Sequence, residues 1–205
     1  AESSTDIDCK YGKVTLGKLS GSNNQISIQY CQNSSIDYIK AGNIDARYSN
    51  LKINDSGNLN LNASYTDVNL NDGQNIKADC NYGTLKFQKI NSLNGSGNYL
   101  TFIIGEISSN FSYDTNYSKI SIGTVTEKAG NITINSGYTD VTIGYVPNYA
   151  FDFDISGKYT NIKHDNSLEL SVTEIKSNSK RIAGFYKKKG QNKINITSNY
   201  GNVSL

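Results

Sequence analysis

Cysteine, histidine and aspartate are the residue types in this chain that could hold a metal, attack a substrate or move a proton. Cys9, Cys31 and Cys80 form no Cys-x-x-Cys pair, and the single histidine, His164, stands far from all three, so a zinc site is not expected. No nucleophile-elbow motif accompanies that histidine, and a serine nucleophile has no local support. Carboxylates carry more. Asp8, Asp45, Asn62, Asp79, Ser96 and Asp114 recur at one point of a repeating unit. Paired acids would suit glycosidic-bond cleavage and a cage of oxygens would suit calcium, whereas acids alternating with neutral side chains suit a solvated surface. From Asp45 onward the acids do alternate with neutral residues, which favours the solvated ladder, and the calcium-coil nonapeptide Gly-Gly-x-Gly-x-Asp is absent.

The unit carrying this file is a tyrosine, a small residue, any residue, then two aliphatics spaced by one, returning about every 15 to 22 residues. It reads Tyr11-Gly12-Lys13-Val14-Thr15-Leu16, Tyr65-Thr66-Asp67-Val68-Asn69-Leu70, Tyr82-Gly83-Thr84-Leu85-Lys86-Phe87, Tyr138-Thr139-Asp140-Val141-Thr142-Ile143 and Tyr200-Gly201-Asn202-Val203-Ser204-Leu205. A fixed period of this length marks a stacked, quasi-one-dimensional protein. With tyrosine as position zero, zeros fall at Tyr11, Asn33, Tyr48, Tyr65, Tyr82, Tyr99, Tyr117, Tyr138, Tyr159 and Tyr200, with one irregular turn near Ser179.

Positions +3 and +5 are apolar while +2 and +4 are polar, so a strand with one buried face follows each tyrosine. Before it, −6 and −4 are often apolar and −2 is small. Inward offsets change from even to odd across the tyrosine, which a pleated strand cannot do without a bend, so the tyrosine marks a corner of the coil. A buried tyrosine column is expected there, with Tyr82→Ala costing roughly 3 kcal/mol or more. His164, in the aliphatic +5 column, is expected as a mostly buried, satisfied imidazole. The three cysteines align at −2. There they either fill a small buried column, or Cys9 and Cys31 on neighbouring turns, about 5 Å apart, form a disulfide. Cys80 lies about 14 Å further along and cannot join them.

The expected fold is all-β: a single-domain parallel β-solenoid (β-helix or β-roll) over residues 1–205, right-handed by the default for parallel crossovers, with about eleven turns and less regular ones from about 145 onward. Composition agrees. Hydrophobic residues make up only 36%, enough for a narrow inward stripe, and 15 tyrosines with a single proline suit many short strands. The net charge of +2 is too balanced for a nucleic-acid partner, and no apolar run is long enough to span a membrane. The start, Ala1-Glu2-Ser3-Ser4-Thr5, fits a chain freed of a signal peptide and fits a trimmed chain equally well. In the most apolar window, Leu100-Thr101-Phe102-Ile103-Ile104, Leu100 and Ile103 are candidates for an interaction patch, set against local packing under a loop. Lys180, Arg181, Lys187, Lys188 and Lys189 suit a charged cap against end-to-end stacking, or contact with anionic glycans or lipids.

The units Ser64 to Leu70, Ser136 to Ile143 and Ser198 to Leu205, of form Ser-x-Tyr-Gly/Thr-x-Val/Ile-x-Leu/Ile, resemble those of a bacterial adhesin family of β-solenoid domains. The segment Ile143-Gly144-Tyr145-Val146-Pro147-Asn148-Tyr149-Ala150-Phe151 looks like that family's break between the regular coil and its last turns. The resemblance implies export to the periplasm or cell surface and supplies no catalytic residue. The expected function is a non-enzymatic cell-envelope binding or adhesion module without a cofactor. Its expected partner is a glycan, met by a polar face with Asp45, Asn62, Asp79 and Asp114, or another envelope protein. A carbohydrate-active enzyme or a protein-docking scaffold on the same coil are the alternatives.

Overall fold

A computed structural model describes residues 3–205; Ala1 and Glu2, the first two residues of the start that fits a chain freed of a signal peptide, lie outside the described residues. The regular part comprises β1 (Asp6–Gly12), β2 (Thr15–Leu19), β3 (Asn24–Cys31), β4 (Ser34–Arg47), β5 (Asn50–Ser64), β6 (Asp67–Ile107), β7 (Phe111–Asn116), β8 (Lys119–Val125), β9 (Ile132–Gly137) and β10 (Asp140–Tyr145). Beyond a break follow β11 (Phe151–Lys158), β12 (Asn161–Lys163), β13 (Glu169–Lys176), β14 (Ser179–Tyr186), β15 (Asn192–Asn199) and β16 (Asn202–Ser204). There is no helix among the described residues. Successive coils pair in parallel and in register, as in Ile44↔Leu61 and Leu61↔Ala78, so each apolar position stacks into a column. The regular solenoid has about eight turns rather than eleven.

The corner sits where the sequence places it, but the tyrosine points the other way. Ten tyrosines adopt left-handed backbone with φ of 50–59°, and this single residue converts an inward −2 position into an inward +1 position. Their rings are 40–72% exposed and stack as a ladder, with centroids 4.6–5.1 Å apart and planes within 12° of parallel. The expected buried tyrosine column is therefore corrected. Left-handed backbone costs an L-residue about 1–2 kcal/mol, and an aromatic stack returns about 0.5–1.5 kcal/mol per pair. The two nearly cancel, so a bulky residue persists at a position that would otherwise favour glycine or asparagine.

The corner also needs its backbone groups paired. Tyrosine N–H groups reach the next coil, as Tyr48 to the Ser64 carbonyl at 3.0 Å and Tyr65 to the Asn81 carbonyl at 3.0 Å, while that of Tyr159 reaches Asn178 in the hairpin turn at 2.8 Å. At +1, the Cys31 N–H donates to Ser49 Oγ at 3.0 Å, and the Ser49 N–H donates to Thr66 Oγ1 at 3.2 Å. Thr66 Oγ1 in turn donates within its own corner, where the Ser64 carbonyl lies at 2.9 Å. Where the follower is Ser49, Thr66, Ser118, Thr139 or Thr160, its hydroxyl is thus an internal bracket of the corner. Where a glycine takes its place, space is the reason: a Cβ on Gly83 would stand 2.1 Å from the Thr66 carbonyl oxygen.

Burial confirms −6, −4, −2, +1, +3 and +5 as the inward set in the regular coils and adds +8, a column of Ile39, Ser56, Gly73, Ile90, Ile107 and Val125. The second coil is misaligned in the sequence reading. Tyr30, not Asn33, stacks between Tyr11 and Tyr48, and Asn33 is an extra left-handed residue just beyond that corner. Ile36 accordingly pairs with Leu16 and Ile53 at +5, Tyr38 pairs with Lys18 and Asp55, and Cys31 pairs with Gly12 at +1 rather than lying at −2.

The chain end holds a larger departure. The final coil, β15 and β16, does not stack last: it lies between the β9–β10 coil and the β11–β12 coil, all in parallel. The tyrosine ladder follows suit, running Tyr138, Tyr200, Tyr159. The break at 146–150 spans the gap and is anchored by Tyr149, fully buried, with its hydroxyl donating to the Gly130 carbonyl at 2.6 Å. The irregular turn near Ser179 is an antiparallel hairpin, β13–β14, added to the outer edge of β11. Arg181 on β14 grips Asp154 on β11 with two hydrogen bonds of 2.8 and 3.0 Å.

Two outcomes test this packing. In urea unfolding, Leu70→Ala, in the dry +5 column, will cost about 2–5 kcal/mol. Tyr82→Ala will cost about 1–2 kcal/mol, the loss of two ring stacks. Tyr82→Gly will cost less still, because glycine adopts the left-handed corner freely. The Arg181 hydrogen bonds hold the Asp154 carboxyl below its usual 3.8. Its contribution is present above that value and is lost as pH falls through the lower folded value. Asp154→Asn will therefore flatten the loss of stability below about pH 3.8 in acid titration monitored by circular dichroism.

Candidate functional site

The outward positions before each tyrosine form one broad sheet face, and the register turns its residues into rows. Row −3 holds Asp8, Ser27, Asp45, Asn62 and Asp79 in successive coils, then Ser96, Asp114, Asn135 and Thr197. Asp45, Asn62, Asp79 and Asp114 thus share one row, and the alternation of acid with neutral residue begins earlier and ends later than the sequence reading placed it. The neutral members donate to the acids: Ser27 Oγ to Asp8 at 3.2 Å, Ser96 Oγ to Asp79 at 3.1 Å, and Asn135 Nδ2 to Asp114 at 2.7 Å. Asp45 is bridged by Arg47 at 2.9 Å and Asp79 by Lys77 at 3.4 Å, all on the exposed surface. Acids two rungs apart lie about 10 Å from each other, which limits repulsion.

Rows −5 and −7 are rich in amides, which the sequence reading missed, with Lys77 interrupting the first and Ala41 and Ser92 the second. Asn60 Nδ2 donates to Asn43 at 2.7 Å, Asn43 Nδ2 donates to Gln25 at 3.0 Å, and Asn75 Nδ2 donates to Asn58 at 2.9 Å. Their signal was in the sequence, as asparagine returning at Asn43, Asn60 and Asn94 and at Asn58, Asn75 and Asn110, but that column was outside the core being sought. A primary amide offers two donors and two lone pairs. Each of these rung bonds uses one donor of one amide and one acceptor of the next.

Three adjoining open depressions occupy this face. The largest, about 570 Å³, is lined by Asn23, Asn43, Asn58, Asn60, Asn75 and Asn94 with Lys77 and contains no carboxylate. A second, about 290 Å³, takes in Asp6, Asp8, Asn43, Asp45 and Asn62, and a third, about 480 Å³, runs from Asp45, Asn62 and Asp79 to the ring edges of Tyr48 and Tyr65. The same face turns basic at its far end. There a depression of about 240 Å³ gathers Lys158, Lys176 and Arg181 beside Ser156 and Thr197, with Glu174 as its one acid.

The other candidates separate. Ile103 points outward at 41% exposure, but Leu100 is an inward +1 residue at 3%. The expected patch of the two is corrected to a lone exposed aliphatic beside Ser121, because the left-handed corner turns +1 into the core. His164 is half-buried at the edge coil rather than in the core, with Nδ1 3.0 Å from the Asp165 carbonyl. No cluster of three or more His, Cys, Asp or Glu with metal-holding geometry exists among the described residues. Cys9 and Cys31 reach the same corner from different columns, and Cys80 is buried elsewhere.

Against known protein families, curated proteins and solved structures, the chain finds no match.

The row geometry makes a direct prediction. Asn62→Asp will place three acids on consecutive rungs, and like charges that close destabilise by about 0.2–1 kcal/mol. The urea midpoint will fall at low salt and recover toward that of the parent chain at about 1 M salt, where screening shortens to about 3 Å.

Proposed function

We propose that this chain is an exported, non-enzymatic binding module of the bacterial cell envelope whose amide and hydroxyl face holds an extended glycan. One observation carries the reading: the amide-lined depression crossing successive coils through Asn23, Asn43, Asn60 and Asn94, without a carboxylate in its wall. Side-chain amides are suited to pairs of sugar hydroxyls, since each supplies a donor and an acceptor side by side. The rungs advance about 4.8 Å each. That is close to the advance of one residue in an extended polysaccharide, so a chain lying along the axis meets at least one asparagine at every coil, from Asn23 through Asn43, Asn60 and Asn75 to Asn94. The resemblance of the Ser-x-Tyr units to those of the bacterial adhesin family supports the envelope location.

A carbohydrate-active enzyme on the same coil would need two carboxyls converging across a bound sugar. The acids of row −3 instead alternate with neutral partners, and two of them are paired with cations. A protein-docking role has its own observation in the edge strand β13, where Leu170 is 43% and Ile175 is 72% exposed.

The test is a broad array of neutral and acidic glycans, probed with and without calcium, followed by titration of any hit. Selective binding is expected, weakened at least about tenfold by Asn43→Ala with Asn60→Ala, with no shortening of the bound glycan. Calcium dependence would move the site to the row of Asp45, Asp79 and Asp114. Cleavage would establish the enzyme, and a silent array would overturn the glycan reading in favour of the β13 edge.

A further inference from the structure

In the coil of Tyr11, β1 pairs with β3 and β2 pairs with β4. Its inward Ile7, Cys9 and Leu16 are only partly buried among the described residues. Inside its tyrosine corner, Cys9 Sγ lies 3.5 Å from Cys31 Sγ, and Cys31 Sγ lies 3.3 Å from the Cys9 carbonyl oxygen. The two sulfurs meet because Cys9 comes before its tyrosine and Cys31 comes after the tyrosine of the next coil, so they approach from the two sides of the corner. Gly12, the register partner of Cys31, leaves the room: a Cβ there would stand 3.3 Å from Cys9 Sγ.

We propose that Cys9 and Cys31 are a thiol–disulfide pair whose oxidation clamps the coil of Tyr11 to the coil of Tyr30. The bond needs the sulfurs to close from 3.5 Å to about 2.05 Å, and Cys9, only partly buried, is the partner with room to move. Cys9 is half-buried and Cys31 fully buried, which sets the order of events. The Cys9 thiolate attacks a disulfide oxidant, either a small-molecule or a protein disulfide, and forms a mixed disulfide while one oxidant thiolate leaves. The Cys31 thiolate then attacks the Cys9 sulfur and expels the second oxidant thiolate. Two protein thiols become one disulfide, and the oxidant disulfide becomes two thiols. The hydrogen-bonded contact with Cys31 favours the protonated Cys9 thiol and raises it above its ordinary value, so the first step quickens as pH rises. Cys80 takes no part: burial pushes its thiol up to about 12, and it lies several coils away.

The experiment treats the reduced full chain with oxidised glutathione and follows free thiols, intact mass, peptide links and hydrogen exchange. The expected result is a fall from three free thiols to one, loss of two hydrogens in mass and a Cys9–Cys31 peptide link. Exchange across residues 6–12 is expected to slow at least about tenfold on oxidation. Cys9→Ser, at a half-buried position that the fold tolerates, will abolish both the link and the slowing, while Cys80→Ala will leave them intact. Three persisting thiols, a stable mixed disulfide at Cys9, a link through Cys80, or a Cys9–Cys31 link that leaves exchange in β1 unchanged would each overturn the proposal.

Discussion

Parallel pairing in register is the constraint on which the rest of this structure depends. Because backbone groups of one coil are satisfied by the next, about 4.8 Å away, every side chain must stand over its own counterpart. Side chains that tolerate this are those that attract their own kind or a neutral partner. Aliphatics stack into the dry −6 to +8 columns, amides donate to amides from Asn60 through Asn43 to Gln25, and hydroxyls bracket the corners from Ser49 to Thr66. Carboxylates tolerate it less well: in row −3 they occur with a neutral rung between them, and Asp55 over Asp72 is a direct acid-on-acid pair.

The tyrosine corner follows from the same constraint. A single left-handed residue per coil closes the path, and any residue placed there is repeated along the whole axis. Tyrosine turns that repetition into a continuous ring stack, whose gain is of the same size as the backbone cost. Because the rings stand edge-on to solvent, the ladder acts as a wall beside the polar face rather than as a platform for flat ligands. The face beside it inherits the period of the backbone, and this is what suits it to a ligand that is itself periodic.

Much of this was legible in the sequence. The apolar alternation, the parity change at tyrosine and the row of Asp45, Asn62, Asp79 and Asp114 all follow from the period alone. What was misread has identifiable causes. Tyr82 was assigned inward because aromatic residues are usually buried, whereas a left-handed residue leaves both −1 and 0 outside. Leu100 stands at +1, an inward offset by the parity change itself, and only the apolarity of its window argues for a surface place beside Ile103. Asn33 was taken for a corner because it sits where an inserted residue mimics the spacing, and Tyr30 was passed over. The amide rows were missed because the columns were searched for apolar residues, not for polar ones that pair with themselves.

The order of stacking is a different matter. The unit Tyr200 to Leu205 is as good a coil as any other, so its sequence specifies a coil and its inward face. It does not specify which neighbours that coil will have, since every coil presents the same backbone edge. The insertion of β15 and β16 between the coils of Tyr138 and Tyr159 is decided by long-range contacts, among them the buried Tyr149 bridge and the hairpin locked to β11 by Arg181. The meeting of Cys9 and Cys31 belongs to the same class, because it needs two residues from different columns to converge across one corner. Periodicity determined the cross-section of this protein, since that is a local property of each turn. Only the tertiary structure decided the sequence of turns along the axis, because identical edges make that choice a global one.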